Sequence, residues 1–128
     1  MVTATTSGIQ VSVGTEYQEE YSSPSQYHYV FTYRISITNK TNSTIQLLKR
    51  HWFIYDSTGA MKEVIGNGVV GNQPVIEPGE SYEYVSGCNF KSGLGKMKGS
   101  YSFKKIIDDQ PFEVVIPEFV MNTPYLLN

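Results

Sequence analysis

The sequence predicts an all-β domain, a sandwich or barrel of about seven or eight short strands. Three observations carry this. Apolar and polar residues alternate with period two in several stretches, turn residues recur roughly every ten positions, and no stretch has the spacing of an amphipathic helix. The aromatic content agrees, with 10 Tyr and 6 Phe against 1 Trp, because aromatic side chains favour a pleated, half-buried surface.

Taken in order, Ile9, Val11 and Val13 alternate with Gln10 and Ser12 and predict a first strand. TEYQEEYSSPSQ, residues 15–26, follows as an acidic loop broken by Pro24. YHYVFTYRISITNK, residues 27–40, is the clearest strand: Tyr27, Tyr29, Phe31, Tyr33, Ile35 and Ile37 fall on one face. On a helix the same residues would scatter round the cylinder. After a turn at 39–43, residues 44–56 predict a third strand whose phase slips at Leu47-Leu48, as a bulge or burial on both faces requires. Asp56-Ser57-Thr58-Gly59 is a turn, and Ala60 to Ile65 returns as the second arm of a hairpin.

Beyond a glycine-rich stretch, Val75-Ile76 leads into the Pro78-Gly79 turn, and Tyr82 and Tyr84 begin another strand. Gly87 to Gly95 is expected to be a loop. Met97, Gly99, Tyr101 and Phe103 share one face of the next strand, and Phe112, Val114 and Ile116 share one face of the last. The tail MNTPYLLN is apolar enough to pack. The expectation is a single domain over 1–128, with a core at roughly 8–119 and short tails.

The composition narrows the functional classes. A net charge of −2 argues against a general nucleic-acid binder, which needs excess Lys and Arg. Lys91, Lys96, Lys98, Lys104 and Lys105 lie in an acid-free run, read as a solvated strand face. No apolar run is long enough to span a bilayer as a helix. MVTATTSGIQ has neither a basic nor an apolar leader region, so a cytoplasmic protein is expected. The single cysteine, Cys88, can form neither an internal disulfide nor a cysteine-rich zinc site.

Gly66-Asn67-Gly68-Val69-Val70-Gly71 has the G-x-G-x-x-G spelling of a dinucleotide loop. Such a loop works only where a helix follows to receive the pyrophosphate, and here Asn72-Gln73-Pro74 and β-branched residues follow instead. The stretch therefore reads as a turn between strands. A secondary reading is a nest of backbone N–H groups that accepts an anion. His28 and His51 are far apart in strand patterns, no nucleophile elbow is present, and scattered acids have no metal-ligand spacing. Neither catalytic residues nor a cofactor is expected, and metal ligands are left unassigned. In Lys49-Arg50-His51-Trp52, strand alternation puts Arg50 and Trp52 on one face and Lys49 and His51 on the other. Trp52 is expected in the core with Arg50 covering its edge.

RHW at 50–52, EVIGNGVVGNQPVIEPGESYEYVSG at 63–87 and GKMKGSYSF at 95–103 closely resemble the ApaG family. The resemblance covers nearly the whole chain. It implies an immunoglobulin-like β-sandwich of the fibronectin type III kind. It also implies a free-standing bacterial form, in a family whose members are linked genetically to cobalt tolerance and magnesium efflux. Eukaryotic relatives use the domain as a protein-interaction module. The family's glycine signature falls on Gly66, Gly68 and Gly71, and its aromatic cluster on Trp52, Tyr82, Tyr84 and Tyr101.

Together these readings predict a non-enzymatic binding module for a protein partner or a small anion. Its expected surface combines Gly66, Asn67, Gly68 and Gly71 with Arg50 and His51. The alternative is an accessory factor in cobalt and magnesium homeostasis that binds a divalent cation or a phosphate-containing metabolite. Open sheet edges allow a homodimer.

Overall fold

The computed structural model describes residues 1–124. It contains β1 (Val2–Thr6), β2 (Ile9–Tyr17), β3 (Tyr29–Asn39), β4 (Ile45–Asp56), β5 (Met61–Asn67), β6 (Val75–Ile76), β7 (Ser81–Phe90), β8 (Leu94–Lys105) and β9 (Pro111–Asn122). One antiparallel sheet has the order β1-β2-β3-β7; the other runs β5-β4-β8-β9, with β6 paired to β4. The two sheets form the expected immunoglobulin-like, fibronectin type III-like sandwich. Short 3₁₀ turns at Glu19–Tyr21 and Pro24–Gln26 interrupt the acidic connection between β2 and β3.

The predicted inward faces form the core. Ile9, Val11 and Val13 of β2 are buried, and Phe31, Tyr33, Ile35 and Ile37 of β3 meet Leu47, Tyr101, Phe103 and Val114 from the other sheet. Trp52 is only 3% exposed. Its ring packs edge-on against Tyr33 at 5.6 Å and Phe119 at 5.8 Å between centroids, an arrangement that aromatic quadrupoles favour.

The slip expected at Leu47-Leu48 is a bulge, since the β4–β8 register shifts between Leu47 and Lys49. A second shift, opposite Met97 and Gly99, leaves an extra residue in β9 between Ile116 and Phe119. Pro117 lies in this segment, and a bulge tolerates its missing N–H.

Three expectations differ. Tyr27 lies outside β3, with φ of 54°, and is 73% exposed, so the predicted apolar face begins only at Tyr29. β1 precedes the first predicted strand: it joins β2 through Ser7 and Gly8, with φ of 50° and 80°. Its polar threonines at a sheet edge supply little apolar alternation. The stretch 87–95 is mostly strand, because β7 runs to Phe90 and β8 starts at Leu94. Gly95 permits this. A Cβ there would lie 2.4 Å from the Phe90 ring, which is buried against it. The tail is split: Met121 and Thr123 are buried, whereas Tyr125 to Asn128 lie outside the described residues.

The two flanks of the sandwich differ. β1 and β2 pack on β9, where Thr6 Oγ1 accepts from the Val115 N–H at 3.2 Å. On the opposite flank, β7 ends the first sheet and β5 ends the second. The glycine stretch and Arg50 lie there, at the end of β5 and beside it on β4.

Candidate binding site

The glycine stretch is a strand end followed by a tight turn. Val69 and Asn72 exchange backbone hydrogen bonds at 2.8 and 2.9 Å. Val70 and Gly71 between them have φ of 47° and 81°, the pair of positive values that a type I′ turn needs. Val69 is fully buried and anchors the turn, while Val70 is 59% exposed at its tip. A β-branched residue is strained in the left-handed region. The Gly68 N–H donates to the Leu48 carbonyl at 2.8 Å. Thus the amides of Gly68, Val69 and Asn72 are spent inside the protein, and the loop turns carbonyls towards Arg50.

Arg50 Nη1 donates to the Asn67 and Gly68 carbonyls, both at 3.0 Å. Its guanidinium lies flat over Gly66, where a Cβ would be 2.7 Å from Nη1 and 2.8 Å from Cζ. Two of the five guanidinium N–H donors are engaged, and among the described residues no carboxylate pairs with this half-buried cation. Arg50 lines a cleft of about 250 Å³ on the open flank, walled by Tyr33, Trp52, Lys62, Val64, Ser86 and Cys88 among others. Lys62 is a second cation on this wall, and no Asp or Glu lines it.

Thus Gly66, Asn67, Gly68 and Arg50 come together, with Gly71 in the adjoining turn. His51 does not join them. It projects from the opposite face of β4, where Nε2 lies 2.5 Å from Glu63 Oε2 and the ring lies 4.7 Å from that of Phe53. Adjacent strand residues point to opposite faces, so two neighbours in sequence serve different surfaces. Lys62 carried no individual signal in the sequence. Its place on the cleft wall depends on β5 lying beside the end of β7.

Beneath the cleft lies a buried hydroxyl pair, Tyr84 with Tyr101. Burial raises the Tyr84 hydroxyl well above its ordinary range, against the opposing effects of the Tyr101 hydrogen bond and of Arg50. Burial likewise pushes the Cys88 thiol up to about 12, although Lys62 opposes the shift. Cys88 donates to Met121 Sδ at 3.7 Å.

A depression of about 300 Å³ on the other sheet is lined by Tyr55, Asp56, Leu94, Lys96 and Val120. Although larger, its charged groups already have partners. Asp56 accepts from Lys91 N at 2.7 Å and Ser92 Oγ at 2.6 Å, and Lys96 Nζ lies 3.6 Å from Glu118 and over the Tyr55 ring. The cleft is the stronger candidate because its cations have no counter-charge among the described residues. Among the described residues no group of three or more His, Cys, Asp or Glu could hold a metal ion, and no helix is long and apolar enough to cross a membrane.

The ApaG domain pattern matches residues 19–105 of this chain. The chain belongs to the ApaG family. It is 46% identical over 126 residues to Protein ApaG of Methylorubrum extorquens strain PA1, covering 98% of this chain and 96% of that protein. It is 44% identical over 124 residues to Protein ApaG of Brucella suis, covering 97% and 95% respectively. The crystal structure of an ApaA protein from Bordetella pertussis superimposes with a TM-score of 0.87 at 44% identity, over 91% of this chain and 94% of that one. The Gly66–Gly71 loop and Arg50 both lie within the residues that match the ApaG domain.

Proposed function

We propose that this ApaG-family chain is a non-enzymatic binding module that holds an anionic group, carboxylate or phosphate, of a protein partner or small molecule. The observation that carries the reading is the half-buried Arg50, fixed through Nη1 to the loop carbonyls, beside Lys62 in a cleft without acids. A guanidinium preorganised in this way loses little freedom when it meets an anion, and its fork suits carboxylate and phosphate alike. The glycine loop serves as the clamp on Arg50. Binding rather than turnover is supported by the positions of the reactive side chains. The Cys88 thiol is pushed up to about 12 by burial, and His51 belongs to the other face of β4.

The test is titration calorimetry with inorganic pyrophosphate and, separately, succinate, at low and physiological salt. The expected result is saturable binding that weakens with salt, as for exposed charges, and falls at least tenfold in Lys62→Glu. Equal heats for the wild type and Lys62→Glu would remove the reading.

A further inference from the structure

The outer edge of β7 supplies what the cleft lacks, a backbone template. The alternation along β3 fixes which groups face outward. The Val30 carbonyl accepts from the Gln18 N–H at 2.8 Å, and its N–H donates to Ser22 Oγ at 2.9 Å, both on the β2 side. At the other end of β3, the Asn39 N–H donates to the Glu80 carbonyl at 2.9 Å, on the β7 side. A strand residue points its N–H and C=O the same way, and its neighbour points them the opposite way. The odd-numbered residues of β3 therefore bond to β7 through Tyr82, Tyr84, Ser86 and Cys88, with which they are in register. Glu83, Val85, Gly87 and Asn89 then turn their amides and carbonyls outward. β7 ends its sheet, these four residues are exposed, and none has a backbone hydrogen bond on that side among the described residues. The glycine loop covers only the Tyr82 end, where Asn72 Nδ2 lies 3.5 Å from the Tyr82 hydroxyl.

Ser86, Gly87, Cys88 and Asn89 also form one wall of the cleft that Arg50 and Lys62 line. An extended segment added to this edge would send alternate side chains inward, beside Ser86 and Cys88, and the others outward, beside exposed Val85. The inward positions face two cations with no acid on the wall. We infer that the β7 edge and the cleft form one site, which takes an extended partner segment as an added strand with carboxylate side chains at alternate positions. This rests on the cleft being an anion site. It adds that main-chain pairing gives affinity while the inward carboxylates give specificity, as in other strand-addition complexes.

The experiment uses a blocked, fluorescein-labelled Val-Glu repeat of about six residues, a typical strand length, with a Val-Lys repeat as control. Binding is read by anisotropy and by amide hydrogen exchange of the full chain. Exchange at Val85, Gly87 and Asn89 should slow at least tenfold when the Val-Glu peptide binds, while Tyr84 and Ser86 are protected in both states. Val85→Pro removes one outward N–H at a position where an edge strand tolerates proline, and should weaken the peptide at least tenfold without altering pyrophosphate binding. Lys62→Glu should weaken both. Peptide binding that leaves the exchange of alternate β7 amides unchanged would overturn the strand-addition model while the anion site stands. Pyrophosphate binding without any binding of the Val-Glu peptide would do the same. Failure of wild-type protein to bind either probe would remove both readings. Should Val85→Pro not fold, the wild-type exchange pattern decides.

Discussion

The Arg50 guanidinium lies flat on the Gly66 backbone, with room for a hydrogen there and none for a methyl group, since a Cβ would stand 2.7 Å from Nη1. This contact couples the glycine stretch to the cleft. Gly68 has a different constraint: its Cβ would lie 2.2 Å from the Asn72 carbonyl oxygen, and its φ is +63°. The two alanine variants should therefore separate. Gly66→Ala meets only the movable end of an arginine, so the backbone need not shift, and the displaced guanidinium should weaken pyrophosphate binding. Gly68→Ala strains the backbone and opens the turn, at about 1–3 kcal/mol. Urea unfolding and pyrophosphate titration of both variants check the contrast.

The Tyr84–Tyr101 hydroxyl pair gives a second prediction. Both residues are buried, and each hydroxyl has the other as its partner. Tyr84→Phe leaves the Tyr101 hydroxyl without a partner where water does not reach, and should cost about 1–3 kcal/mol. The double variant Tyr84→Phe/Tyr101→Phe removes both polar groups and should recover most of that loss. A double-mutant cycle by chemical denaturation measures the non-additivity.

Asp56 ties the β4–β5 turn to the β7–β8 turn through Lys91 N and Ser92 Oγ, and accepts from Thr58 N within its own turn. Partial burial raises its pKa, but these hydrogen bonds outweigh burial and leave it below the ordinary value of 3.8. Folding strengthens the acid, so its contribution is complete above pH 3.8 and is lost as the pH falls through the depressed folded value. Asp56→Asn cannot accept from all three donors, and should cost about 1 kcal/mol at neutral pH. It should also flatten the acid limb of a melting-temperature profile.

Cys88 predicts slow alkylation and an alkaline limb. Burial holds its thiol at about 12 against an ordinary value of 9.0, so little thiolate exists in the folded protein at pH 8. Iodoacetamide should react far more slowly with native protein than with protein in urea. Because the folded pKa is raised, the thiol's contribution to stability is full below pH 9.0 and declines as pH rises towards about 12. Cys88→Ala should remove that part of the alkaline loss, measured by melting at pH 8 and pH 10.

Strand alternation determined much of this protein in advance. The inward faces of β2, β3, β8 and β9, the slip at Leu47-Leu48 and the burial of Trp52 beside Arg50 follow from residues two apart. The absence of a helix after Gly71 likewise identified the G-x-G-x-x-G stretch as a turn. β1 escaped because threonines at an edge carry no apolar rhythm, and the β7–β8 hairpin because glycines suggest loops when the ring that needs their space is not in view. Local chemistry alone grouped Arg50 with His51, although the strand pleat divides them.

Only the tertiary structure decided where the cleft lies. Arg50 meets Gly66 through the pairing of β4 with β5, and Lys62 meets Ser86 and Cys88 because the edges of two different sheets end on one flank. A period of two says which side chains point inward. Which edges face each other across a sandwich is set by sheet order and strand twist, through contacts distant in sequence that no local pattern encodes.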